Sequence, residues 1–318
     1  MKVSVIIPVY NAGKYLEEAV KSALKQREVE EVVLIEDGSS DNSLDVCKKL
    51  ESSYEKVKLF RHPNGENRGA GETRNVGLKV AKQEFVSFLD ADDFYLENRF
   101  KIAKKVFENP NADGVYEAIG VHFESKEEEK KWCLRSGRRM TTISERADPK
   151  KLFIFLTLAR GGHFSLDGLT IRKKVIDKEL GLFNKELKIS QDTHFCLKLA
   201  LVKNLYSGNI DKAVAMRRVH GENRITRVSS DEMIGYQKIL WQSLEDHFKN
   251  KKVGFSNKSL IFFMTFYYNK LEKISRKKKK IKGNLYFFPV LIIFLFKKPF
   301  RGINVFYNTS KFLLKRFF

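Results

Sequence analysis

The stretch VSVIIPVYNAGKYLEEAVKSALKQ, Val3 to Gln26, decides the fold. Its first seven residues form a continuous apolar, β-branched run, the pattern of a strand buried on both faces. From Tyr15 the period changes, and Tyr15, Leu16, Ala19, Val20, Ala23 and Leu24 recur at helical spacing as far as Gln26. The same alternation continues outward. VVLIE at 32–36 predicts a second strand, and Ser40-Asp41 offers a cap for a helix carrying Leu44, Val46, Cys47 and Leu50. VKLF at 57–60 predicts a third strand, 73–81 a helix and FVSFLD at 85–90 a fourth strand. Strands separated by helices give right-handed βαβ units, so the expected class is α/β with a mostly parallel central sheet flanked by helices.

Such sheets bind ligands at the carboxyl ends of their strands. That rule selects Pro8, Tyr10 and Asn11 after the first strand, Glu36 to Ser40 after the second and Asp90 to Asp93 after the fourth. Acids therefore gather on one rim.

Composition narrows the class. Hydrophobic residues make up 42% and charged residues 31%, enough for a sizeable core and too apolar for a disordered chain. Three cysteines far apart, with no CxxC pair, exclude a disulfide framework and a thiolate zinc site and fit a reducing compartment. The six histidines show no metal-ligand spacing. MKVSVIIPVYN reads as a first strand, not a signal peptide. The net charge is +21, and it is concentrated: residues 251–318 hold seventeen Lys and Arg against the single acid Glu272. A nearly balanced body and a basic tail facing something anionic are implied.

From Glu124 the periodicity weakens, and 124–131 reads as a solvated loop or helix end. Regularity returns at 152–158, at 168–171 as a strand, and at 193–202, 233–248 and 260–274 as helices. The tail opens with a polybasic run at 276–282, followed by the twelve-residue LYFFPVLIIFLF, which contains Pro289 and falls short of the roughly 20 residues that span a bilayer. Aromatic and basic residues then interleave from Ile303 to Phe318, as in a helix lying in a membrane interface.

Several groups can carry chemistry. Three carboxylates in Asp90-Ala91-Asp92-Asp93 repel one another at a strand end unless a cation sits there, and carboxylates with a diphosphate make a Mg²⁺ or Mn²⁺ site. An Asp-rich turn reads the same way without a metal. Asp37-Gly38-Ser39-Ser40-Asp41 is a good βα loop by itself, made more suggestive by the Asp90 cluster beside it. The Gly-rich loop 65–75, with Arg68 and Arg74, enters a helix whose N-terminus can meet phosphate, although it is neither a dinucleotide fingerprint nor a P-loop. Asp192 ahead of a helix reads alone as a cap. Arg217-Arg218-Val219-His220 reads alone as a solvated basic patch.

In combination the motifs resemble the family 2 inverting glycosyltransferases with the GT-A fold. VSVIIPVYNAGKYLEEAVKSALKQ, VVLIEDGSSDNS, NRGAGETRNVGL, FVSFLDADD, GLFNKELKISQDTHFCLKLA and RRVHGEN follow in the family's order across about residues 1 to 225. The resemblance implies a catalytic domain at 1–225, while periodicity and charge add a helical extension at 226–275 and a polybasic, aromatic amphipathic tail at 276–318. It places Pro8, Tyr10 and Asn11 in the first nucleotide-contact loop, Asp37 on the nucleobase and Arg74 near the nucleotide. Asp90 is placed toward the ribose, and Asp92, with Asp93 beside it, on the metal. Asp192 matches the catalytic base, with Gln191 where the family more often has an acid. Arg218 and His220 resemble the late motif near the diphosphate.

The implied partners are a nucleotide-sugar donor, expected to be UDP-linked, and a glycan or lipid-linked acceptor in cell-surface polysaccharide or lipopolysaccharide assembly. Mn²⁺ or Mg²⁺ is the implied cofactor. The tail points to an anionic membrane surface and to a cytoplasmic, peripheral position at the inner face of the plasma membrane. Nucleic acid is not expected, because an apolar block separates the basic runs. The rival readings are a sugar nucleotidyltransferase, whose Gly-rich loop should follow strand one directly, and a catalytically silent relative that docks at a membrane.

Overall fold

The computed structural model describes residues 1–135, 137–158, 162–221, 229–275 and the single residues 301 and 305. β1 (Val3–Val9), α1 (Leu16–Leu24), β2 (Val29–Glu36), α2 (Ser43–Ser53), β3 (Val57–Arg61), α3 (Ala70–Val80) and β4 (Phe85–Phe88) form in the expected order. After them come β5 (Phe94–Tyr95), α4 (Lys101–Val106), β6 (Gly114–Tyr116), β7 (Ile119–Phe123), α5 (Lys126–Arg135) and β8 (Met140–Thr141). The remaining elements are α6 (Leu152–Thr157), β9 (Leu169–Arg172), α7 (Gln191–Val202), β10 (Leu205–Ser207), β11 (Ala215–Val219), α8 (Ser230–Phe248) and α9 (Phe255–Ser275).

The central sheet has seven strands in the order β10-β6-β9-β4-β1-β2-β3. Pairs β1–β2, β1–β4, β2–β3 and β6–β10 are parallel, whereas β9 runs antiparallel between β4 and β6. A second sheet, β5-β11-β7-β8, stands beside it and was not anticipated from periodicity. Its strands are two to five residues long, too short to show an alternation.

Period two divides β1 between two cores. Ile6 faces a cluster with Val33, Ile35, Phe88 and residues of α6 to α9, while Val5 and Ile7 face another with Leu16, Val20 and Leu34. Each fully buried side chain of this size contributes about 1.5–3 kcal/mol. Gly77 lets α3 lie on β1, since a Cβ there would come within 2.4 Å of Ile6.

Where a solvated loop or helix end was expected near 124–131, α5 forms from Lys126. Ser125 Oγ accepts from the Glu128 N–H at 3.2 Å, and Glu127 pairs with Lys131 at 2.8 Å. α8 starts in a capping box between Ser229 and Glu232. α8 and α9 are antiparallel: Ser275 bonds Asp231, Lys238 pairs with Glu272, and Thr265 bonds the Trp241 carbonyl. Leu240, Leu244, Phe263 and Leu271 of this hairpin join the same apolar cluster as Ile6. Among the described residues no helix is long and apolar enough to cross a membrane. The tail reading at 276–318 lies outside the described residues apart from Arg301 and Val305, and Val305 is buried in that cluster.

Candidate active site

The loops after β1 and β2 are joined to each other by hydrogen bonds. Asn11 takes a left-handed φ of 50°, which lets its Oδ1 accept from the Ser40 N–H at 2.8 Å while its own N–H reaches Ser39 Oγ at 3.1 Å. Pro8 is half-buried in β1, and Tyr10 is exposed beside Asn11. Asp37 is buried and accepts from the Arg68 and Gly69 N–H groups at 2.7 and 3.0 Å, with His62 Nε2 at 3.3 Å. Gly38 has a φ of 71°, and a Cβ there would lie 2.6 Å from the Gly65 carbonyl. The second loop therefore holds the Gly-rich loop through Asp37 and fits against it only because residue 38 has no side chain.

Arg74, buried on α3, donates to Asp90 Oδ1 at 2.5 Å. Asp90, Asp93 and Asp167 offer carboxylate oxygens that all lie within 4.8 Å of one another. Burial, then Asp167, Asp92 and Asp90, push the Asp93 carboxyl well above the usual carboxylate range. Burial and the Asp90 charge push Asp167 up to about 6. Two carboxyls so placed hold one proton or one cation between them. Three hard oxygen donors suit a divalent cation of the Mg²⁺ or Mn²⁺ type.

Membership of this acid group differs from the expectation in two respects. Asp93 belongs to it, but Asp92 turns its Oδ2 to His220 Nε2 at 3.0 Å. Asp167 takes a place among the acids that the sequence did not suggest. In Ser-Leu-Asp-Gly-Leu it reads as a turn before a strand, and only the antiparallel insertion of β9 beside β4 brings it to the acid rim. There its Oδ1 accepts from the Asp90 N–H at 3.0 Å.

Strand alternation separates the basic pair on β11. Arg218 bonds Glu18 at 2.5 Å, Glu124, and the Asp92 carbonyl at 2.9 Å, and lies over the Tyr15 and Phe94 rings. His220 shares that face and packs against Tyr15 with ring centres 4.9 Å apart. Arg217 points the other way. It donates to Ser165 Oγ at 3.4 Å, and Ser165 in turn bonds Asp167 at 3.0 Å.

Asp192 is exposed in the first turn of α7, behind Ser190 at a left-handed φ of 62°. Gln191 is buried and turned inward, so that a Cβ on Gly71 would meet its Oε1 at 2.6 Å. The preceding loop is fastened to α3 by two hydrogen bonds between Asn75 and the Phe183 backbone, and Phe183 stacks on Phe195 at 4.0 Å.

A mostly parallel α/β sheet flanked by helices, with acids at the carboxyl ends of its strands, is the GT-A architecture. The sequence pattern of Glycosyl transferase family 2 matches residues 4–180, and the chain belongs to that family. It is 29% identical over 273 residues to an uncharacterized glycosyltransferase of Haemophilus influenzae, covering 84% of this chain and 95% of that one. Two further curated relatives, glycosyltransferase GlyG of Streptococcus pneumoniae and an uncharacterized glycosyltransferase of Nostoc sp., match over shorter stretches, at 36% identity over 114 residues and 38% over 124, each covering 37% of the relative's own length. Among solved structures, S. aureus TarS 1-349 in complex with UDP-GlcNAc superposes with a TM-score of 0.62 at 22% identity, over 93% of this chain and 81% of that one. The mannosyltransferase PcManGT of Pyrobaculum calidifontis, in complex with GDP-Man and Mn²⁺, superposes at 0.55 with 16% identity, over 98% and 87%. At such identities the likeness establishes the fold.

Proposed function

We propose that the chain transfers one sugar, with inversion, from a nucleotide-sugar donor of the UDP type to a glycan or lipid-linked acceptor. The observation that carries this reading is the pairing of one exposed carboxylate, Asp192, with a separate acid cluster at the strand ends. A sugar hydroxyl is a poor nucleophile. Asp192 would accept its proton as it attacks the anomeric carbon from the side opposite the diphosphate. Asp37 would accept from an N–H of the base, Pro8, Tyr10 and Asn11 would line the nucleotide loop, and Arg74 and Asp90 would sit at the ribose and phosphate side. Asp93 would hold Mg²⁺ or Mn²⁺ together with Asp90 and Asp167, and Asp92 would join them on leaving His220. Bound there, the cation would neutralise charge on the departing diphosphate. The TarS and PcManGT complexes support a nucleotide-sugar donor and, for the second, a metal.

On this reading residues 1–225 form the catalytic domain, α8 and α9 buttress it, and 276–318 carry it to the inner face of the plasma membrane. The charge of residues 251–318 supports the last step. The test is donor hydrolysis: the purified protein with Mn²⁺ or Mg²⁺ and a panel of UDP-, GDP- and dTDP-sugars, assayed for released nucleoside diphosphate. Release from one donor, lost in Asp92→Ala and Asp192→Ala, is the expected result. Silence across the panel with no nucleotide binding by calorimetry would overturn the reading.

A further inference from the structure

We propose that Arg217, and not its neighbour Arg218, is the β11 arginine that meets the donor's diphosphate. The proposal rests on the reading that the donor is a nucleoside diphosphate sugar.

The two arginines differ in what already occupies them. Arg218 is buried, with its Nη atoms on Glu18 and Glu124, its Nε on the Asp92 carbonyl, and its plane over two aromatic rings. Two carboxylates neutralise it on the face away from the acid cluster. A diphosphate would have to displace both carboxylates, Glu18 on the exposed side and the partly covered Glu124, and pull the guanidinium off two aromatic rings. Arg218 therefore acts as a brace that fastens α1, β7 and the Asp92 turn to β11.

Arg217 is half-buried and, among the described residues, has no carboxylate within 4 Å. Its hydrogen bond to Ser165 is long at 3.4 Å. Yet its charge lies in the field of Asp93, Asp167, Asp90 and Asp192, the acids on both sides of the proposed reacting centre. A guanidinium held near acids without pairing to any of them keeps most of its N–H groups for a ligand. Its planar fork matches two oxygens of a phosphate. The site also needs the charge. Three clustered carboxylates and a diphosphate exceed what one divalent ion balances, and Arg74 is already engaged by Asp90. The Arg217 charge is felt by the cluster and by Asp192 alike, so it acts on the region where leaving-group charge develops.

The test compares UDP with uridine by calorimetry, in Mn²⁺, for wild type, Arg217→Gln and Arg217→Lys, with melting temperature measured in parallel. The expected result is a loss of at least about tenfold in UDP affinity for Arg217→Gln, unchanged uridine affinity, and partial recovery in Arg217→Lys. An unchanged ratio of UDP to uridine affinity in a folded Arg217→Gln overturns the proposal and leaves Arg217 as a counter-charge to the acids. Failure of both variants to fold also overturns it, making the residue structural. Wild-type protein that binds neither UDP, GDP nor dTDP would instead sink the donor reading on which the proposal stands.

Discussion

Asp192 and Gln191 are adjacent in sequence and opposite in fate. Gln191 is pinned against the start of α3, while Asp192 stands in solvent at the head of α7, so only the second can reach a substrate hydroxyl. Asp192→Asn keeps the shape and removes the proton acceptor. Transfer should fall by about 10²–10⁴-fold, the usual share of a general base, with UDP affinity retained by calorimetry. Loss of both together would assign the residue to the donor side instead. Gly38 poses a steric test. Gly38→Ala puts a Cβ on a φ of 71° and within 2.6 Å of a carbonyl in the loop that Asp37 holds. Denaturant unfolding should show a loss of about 1–2 kcal/mol, with weaker uridine binding. Wild-type stability in that variant would show that the loop relaxes at no cost.

At the scale of elements, α7 is the link between Asp192 and the helical hairpin. His194, two residues past Asp192, is buried and bonds Ser243 of α8 at 3.1 Å, and Ser243 also accepts from Asn184 of the preceding loop. Burial, with Lys198 and His247 nearby, depresses the His194 imidazole to about 3. The sign follows from linkage. Between about pH 3 and 6.5 the unfolded chain binds a proton that the folded chain refuses, so unfolding becomes easier as pH falls through that window. Above it both states are neutral and the group contributes nothing. One such group gives a slope of at most about 1.4 kcal/mol per pH unit. His194→Gln, which cannot titrate, should flatten stability against pH below 6.5 in urea titrations. An unchanged slope would place the acid sensitivity elsewhere.

At the scale of the whole molecule, charge is divided between a nearly neutral body and a basic end. Val305 is buried against the α9 cluster and Arg301 lies over Phe262 at 4.6 Å, so cutting the chain at 276 would remove core contacts as well as charge. Substituting Lys277, Lys278, Lys279 and Lys280 by glutamine is the cleaner experiment. Each lysine near an anionic surface is worth about 1 kcal/mol. Sedimentation with phosphatidylserine vesicles should therefore drop steeply, while donor hydrolysis in solution stays at the wild-type level. Equal sedimentation of both proteins would reassign the charge to another partner.

The sequence by itself determined the βαβ half from β1 to β4, because long apolar strands and amphipathic helices carry their period locally. It also determined the rim on which the acids stand, since parallel topology fixes which strand ends are open. What it left to tertiary structure were choices between neighbouring residues and contributions from distant ones. Asp167 enters the acid cluster because β9 inserts antiparallel beside β4, a pairing across 77 residues from Asp90 that no local pattern encodes. Arg217 and Arg218 are chemically identical in the sequence. The pleat of β11 sends them to opposite faces, and only the packed elements decide which face holds Glu18 and Glu124 and which holds the acids of the site.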